Sequence, residues 1–166
     1  SSILPETFDD RMKIRMVNPM EIFAAKGNAL ITRAAARDLY DWCNMLSEGL
    51  FEEQRDLFRK CFLFYMAISA DTLNKSFDTS AIDTLDFNKI RRDLFPVLNK
   101  KDNFQLDERK KIAKNYISDL MVLTTKEKEY LDRFEEKKYM PELLFEDVEI
   151  VERVKNHPMA LWKCKE

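Results

Sequence analysis

Two glycines in 166 residues, Gly27 and Gly49, constrain this chain more than any other feature. β-Rich and Rossmann-like folds consume glycine in tight turns and phosphate loops, where the backbone must reach positive φ or approach a ligand closely. So few glycines, combined with apolar runs at helical spacing, predict a mainly α fold. An apolar fraction of 45% suffices for one core, and a net charge of −2 excludes a globally basic nucleic-acid binder.

The best specified segment runs from Asn18 to Asp41, NPMEIFAAKGNALITRAAARDLYD. Asn18 is a good N-cap, Pro19 suits the first helical position, and Glu21 can close a capping box onto Asn18. Ile22, Ala25, Ala29 and Leu30 are expected to form the buried stripe of this helix. Gly27 costs about 1 kcal/mol of propensity and therefore marks close packing. Lys26, Arg33, Arg37 and Asp41 follow one another at intervals of seven, four and four residues, so a continuous helix would place them on one face able to hold phosphate. The sequence leaves open whether the helix runs on into Arg37 or restarts at Asp38. A plain i,i+4 pair between Arg37 and Asp41, with Lys26 solvated, is the competing reading.

Further along, Lys13 to Val17 alternates as a short amino-terminal strand would, and Gly49 punctuates a turn. Glu52 to Ala70 reads as the core helix, burying Leu57, Cys61, Phe64 and Ile68; Phe58, Phe62, Tyr65 and Met66 in the same run read as core rather than as a base-stacking platform. Asp71 to Asp86 is a polar loop or a frayed helix. Phe87 to Leu98 is helical with an interruption at Pro96, Lys100 to Asn103 a turn, and Leu106, Ile112, Tyr116, Leu120 and Leu123 suit the next helix. Thr124 and Glu127 form a capping box opening a helix over Tyr130 to Lys137; Pro141 breaks it, and Val148 to Lys155 is the last helix expected.

Cys43, Cys61 and Cys164 are odd in number and lack C-x-x-C spacing, which fits a reducing cytoplasm and argues against disulfides or zinc. No run approaches the roughly 18 apolar residues that span a bilayer. His157, ahead of Pro158, is expected to pack on or cap the last turn of the preceding helix. Basic residues gather in the middle, at Lys89, Arg91, Arg92, Lys100, Lys101, Arg109, Lys110, Lys111 and Lys114. They could follow an RNA backbone or form an ordinary solvated face with Asp93, Asp102, Asp107 and Glu108.

The run PMEIFAAKGNALITRAAARDLYD resembles the helical motif of the AbiEii/AbiGii abortive-infection nucleotidyltransferase toxins, in which Glu-Ile-x-Ala-x-Lys precedes Arg-Asp-Leu-Tyr-Asp. Thr124 to Lys163, with its PELLF and HPMALWK segments, resembles their carboxy-terminal part. The resemblance implies a type IV toxin–antitoxin toxin that transfers nucleotide from a nucleoside triphosphate, with transfer RNA among the implied acceptors. The family's Gly-Ser and Asp-x-Asp metal signature does not occur in this sequence; Asp147-Val148-Glu149 is the nearest mimic and reads as the start of a helix.

Nucleotidyl transfer is in-line displacement at phosphorus, and paired carboxylates normally hold the metal against the phosphates. The expected organisation is therefore a remnant of an upstream nucleotidyltransferase domain over residues 1–17 and a helical carboxy-terminal domain over residues 18–166, with magnesium bound by a half supplied in cis or in trans. In that scheme Lys26 contacts the triphosphate and Arg33 or Arg37 assists it. Asp38 or Asp41 orients those cations or acts on the acceptor hydroxyl, and Lys110 and Lys111 bind RNA. No metal ligand is expected among these residues, and the chain alone is expected to be inactive. The alternative is a non-catalytic helical module that binds another protein through apolar helix faces.

Overall fold

The computed structural model describes residues 18–86, 88 and 106–165. The strand expected over Lys13 to Val17, the helix over Phe87 to Leu98, the turn at Lys100 to Asn103 and the basic residues Lys89, Arg91, Arg92, Lys100 and Lys101 lie outside the described residues. Among those described there is no strand, and the mainly α expectation holds: α1 Pro19–Thr32, α2 Ala36–Ser47, α3 Arg55–Ser69, α4 Leu106–Leu120, α5 Thr125–Glu135, α6 Val148–Val154 and α7 Pro158–Lys163. Short 3-10 turns occupy Glu52–Gln54, Ser80–Thr84 and Pro141–Leu143.

Helix α1 begins as its sequence dictates, with the Glu21 N–H donating to Asn18 Oδ1 at 3.0 Å and Pro19 in the first turn. Its buried face is not the expected one. Met20, Ala24, Gly27, Leu30 and Ile31 are buried, whereas Ile22 and Ala25 are exposed. The helix has turned to bring Gly27 against α2 and α3. A Cβ at Gly27 would stand 2.2 Å from Trp42 Cζ2 and 2.6 Å from Phe62 Cε2, so the missing side chain makes room for two aromatic rings. Trp42 is fully buried, and its indole N–H donates to the Phe23 carbonyl at 2.8 Å. That bond satisfies the one polar atom the ring carries into the core.

The helix breaks before Arg37. Ala34 takes up left-handed backbone, φ 50°, and its N–H reaches the Ala29 carbonyl at 3.1 Å; α2 then restarts at Ala36. A left-handed non-glycine residue costs about 1–2 kcal/mol. Full burial of the Ala34 methyl offsets part of that cost.

Helix α3 is the centre of the molecule, as its apolar content predicts. One side joins a cluster of Trp42, Phe58, Phe62, Ile82, Ala113 and Ile117, and the other joins Tyr130, Leu131, Phe134, Val154 and Ala160. The polar segment after α3 is a loop ending in the Ser80–Thr84 turn, which buries Ile82 beside α1 and α4. In α4, Ile112 is exposed and Ala113 and Ile117 take the core positions instead.

The capping box of α5 forms as written: the Glu127 N–H donates to Thr124 Oγ1 at 3.1 Å, and the Thr124 N–H returns a 2.9 Å bond to Glu127 Oε1. Asp147 caps α6 through the Glu149 N–H at 2.8 Å, so the nearest mimic of a metal motif is indeed a helix start. His157 corrects the expectation. It caps the helix that follows, not the one before, its Nδ1 accepting the Met159 N–H at 3.2 Å, with the ring edge-on to Phe64. Pro158 explains this choice: it starts α7 at a position where no N–H is needed.

Candidate functional site

Because α1 stops and α2 returns against it, Lys26 meets Asp41 across two helices. Nζ stands 2.8 Å from Oδ2, with both side chains about one-third exposed at 30% and 36%. The expected single-helix face is thus replaced by a tertiary one, and the Arg37–Asp41 pair gives way to Lys26–Asp41. Arg37 is exposed and makes no ion pair or hydrogen bond recorded among the described residues.

Asp38 lies beside this pair in the first turn of α2, with only 8% of its surface exposed and Oδ2 buried without a hydrogen-bond partner. Desolvation raises its pKa above the usual aspartate value. Lys26 and Arg33 pull it back down, and Asp41 adds to the rise. The structure therefore brings Lys26, Arg33, Asp38 and Asp41 into one electrostatic neighbourhood. A desolvated carboxylate is a stronger base than a surface one, and a cation pair beside it favours phosphate. That combination suits phosphoryl chemistry.

The residues present do not fit a divalent metal. Among the described residues no group of three or more His, Cys, Asp or Glu side chains could hold one. Asp41 already pairs with an ammonium, leaving Asp38 as the remaining nearby carboxylate.

Lys110 and Lys111 belong to a different surface. They sit on α4 beside a shallow hollow of about 300 Å³ that also contains Asp83 and Lys114. Lys114 binds both carboxylate oxygens of Asp83 at 2.8 and 2.9 Å, and Lys110 Nζ lies 3.4 Å from the Asp83 carbonyl. Asp83, on the turn after α3, thus supplies the counter-charge of Lys114 and only a backbone carbonyl to Lys110.

Sequence reasoning also missed a buried charge cluster. Glu127, fully buried, accepts from Arg59 Nε and Nη2 at 2.8 and 3.1 Å and from Lys60 Nζ at 2.8 Å. Burial alone would raise its pKa, but these donors and the Thr124 N–H outweigh it and hold the carboxyl below its usual range. The cluster joins α3 to the start of α5. The only sequence signal for it was the Thr124 capping box.

The fold and site describe a helical domain that carries a lysine–aspartate pair across two helices with a second, buried aspartate beside it. The family model described as nucleotidyl transferase AbiEii toxin, type IV TA system, matches residues 2–137, and the chain belongs to that family of type IV toxin–antitoxin nucleotidyltransferases. The match includes the whole Lys26 to Asp41 constellation and ends before the PELLF and HPMALWK segments. No curated protein and no solved structure matches the chain. No helix among the described residues is long and apolar enough to cross a membrane.

Proposed function

We propose that this chain forms the helical wall of the nucleotide-transfer cleft of a cytoplasmic toxin, with a nucleoside triphosphate as donor and an RNA, such as a transfer RNA, as acceptor. The observation that carries the reading is the Lys26–Asp41 contact beside the desolvated Asp38, in a chain of this family. When triphosphate arrives, Lys26 exchanges Asp41 for a phosphate oxygen. Arg33 lies close enough to Asp38 to add its charge to the same region. The two cations neutralise charge that builds up on the phosphoryl oxygens during in-line displacement. Asp41 holds the ammonium in place between turnovers, and Asp38, poorly solvated and unpartnered at Oδ2, takes the proton of the acceptor hydroxyl. Arg37 serves the rim of the cleft.

Magnesium and the carboxylates that hold it belong, on this reading, to a nucleotidyltransferase half acting in cis or in trans, of which residues 1–17 are the adjoining part. The lysines Lys110 and Lys111 guide RNA from a separate surface. The test is nucleotide transfer to RNA by this chain with and without an Asp-x-Asp-bearing partner domain. Transfer only in the complete assembly, lost with Lys26→Ala or Asp38→Asn, supports the reading; robust transfer by the chain alone overturns the division.

A second reading, a non-catalytic interaction module, is favoured by the exposed apolar side chains Met159, Leu161 and Trp162 on α7, which lies beyond the family match. Unchanged transfer by Lys26→Ala in the complete assembly would favour it.

A further inference from the structure

Helix α7 turns one small side chain inward and three large ones outward. Ala160 is fully buried, and Lys163 Nζ donates to the Ala70 carbonyl at 2.7 Å, which fixes the helix on the end of α3. Successive residues of a helix point about 100° apart, so Met159, Leu161 and Trp162 fan over the side opposite Ala160. They are 44%, 47% and 66% exposed. The other exposed large apolar side chains among the described residues, Ile22, Leu50, Ile112, Val122 and Val148, occur one at a time along the chain, as on any globular surface. Only α7 gathers three within one turn.

The charge around this face is of one sign. Residues 153–165 include Arg153, Lys155, Lys163 and Lys165 and no aspartate or glutamate. Arg153 and Lys155 are taken by Glu21 and Glu152. Lys163 and Lys165 make no ion pair among the described residues, and neither does Lys137, which reaches the end of α7 with its Nζ 3.2 Å from the Lys165 carbonyl. Three ammonium groups without carboxylate partners therefore border the exposed tryptophan, leucine and methionine.

We propose that α7 is a contact for an anionic lipid surface, with Met159, Leu161 and Trp162 entering the boundary between headgroups and acyl chains while Lys137, Lys163 and Lys165 face the lipid phosphates. A bilayer interface is negative at its surface and apolar just beneath, which is the complement of this face. Tryptophan settles at headgroup level, where its ring is buried and its N–H stays wet. A nucleic acid would also meet the lysines, but it offers Leu161 and Met159 little apolar surface, since its bases stack on flat rings. Three side chains and three lysines give a reversible contact that lies on the membrane rather than crossing it. The contact belongs to a segment beyond the family match, and none of its residues is part of the cleft, so it is independent of the nucleotide-transfer reading.

The experiment adds vesicles of phosphatidylglycerol with phosphatidylcholine, or of phosphatidylcholine alone, to the chain and reads tryptophan emission and co-sedimentation. Trp42, the only other tryptophan, is fully buried with its N–H on the Phe23 carbonyl, so a blue shift reports Trp162. The unaltered chain should shift to the blue and partition at least about tenfold better onto the anionic vesicles. Trp162→Ala should abolish the shift and lower partition about tenfold, as lost apolar burial requires. Lys137→Gln combined with Lys165→Gln should lower partition about 25-fold, about fivefold for each lysine, and only on anionic vesicles. These positions are on the surface, and melting curves of the variants should match the parent. Absence of a shift and of co-sedimentation in the unaltered chain, or unchanged partition by Trp162→Ala, would overturn the proposal. A shift produced by transfer RNA but not by vesicles would assign the face to RNA and overturn it too, as would a dimer in sedimentation velocity that Trp162→Ala dissolves while vesicles leave the emission unmoved.

Discussion

The Lys26 ammonium stands 2.8 Å from the Asp41 carboxylate across the α1–α2 junction, fifteen residues away in sequence. Both side chains remain partly in water, and pairs of this kind contribute about 0–1 kcal/mol. The pair is therefore cheap to break, which the proposed exchange of Asp41 for a phosphate oxygen requires. Lys26→Ala should lower thermal unfolding by no more than that amount while removing nucleotide transfer in the complete assembly. A loss of stability several-fold larger, measured by chemical denaturation, would identify the pair as structural.

Asp38 carries the opposite prediction. Its environment disfavours the charged form, chiefly through desolvation, so its folded-state pKa lies above the unfolded one. The unaltered protein should gain stability relative to Asp38→Asn as pH falls through the folded pKa, and at neutral pH the variant should melt at the same temperature or higher. Melting curves of both proteins at neutral and mildly acidic pH would check this. A variant less stable than the parent at neutral pH would show that the carboxylate holds the fold together.

The Arg59–Glu127 cluster should behave in the contrary sense. Glu127 is held below its usual range by its donors, so the stability it contributes is complete above the unfolded-state pKa and is lost as pH falls through the folded one. Glu127→Ala leaves Arg59 buried and unpaired on that side and should cost about 3–5 kcal/mol. Urea denaturation at neutral pH measures it, and a cost below 1 kcal/mol would contradict the reading.

Gly27→Ala should destabilise the protein although alanine is the better helix former. The gain in propensity is about 1 kcal/mol, but the added methyl collides with rings of Trp42 and Phe62 that are themselves enclosed. Overpacking of this kind costs about 1–3 kcal/mol, and the net change should be a lower melting temperature. An increase would mean that the aromatic cluster shifts freely.

RNA guidance by α4 predicts a salt signature. Lys110→Ala combined with Lys111→Ala should weaken transfer RNA binding and flatten its dependence on salt, because fewer phosphate contacts release fewer counterions. Nucleotide affinity should stay the same. Equal loss of both ligands in filter-binding and calorimetric titrations would point to general charge or misfolding.

Local chemistry was legible in the sequence wherever it decides alone. The scarcity of glycine and the apolar spacing determined a helical chain. Asn18-Pro19, Thr124 with Glu127, and Asp147 determined where three helices begin, because a cap is satisfied within its own turn. The family was legible too, through the resemblance carried by Lys26 to Asp41. The facing of α1 was not: Ile22 and Ala25 have the spacing of a buried stripe, but the aromatic surface of α2 and α3 selects the Gly27 side because only that side can approach closely. His157 likewise had two helices to cap, and Pro158 and Phe64 together selected the second. Only the tertiary structure paired Lys26 with Asp41, sank Asp38 beside them and buried Glu127 under Arg59, because each of these depends on chain return and on exclusion of water, and neither is encoded within a single helical turn.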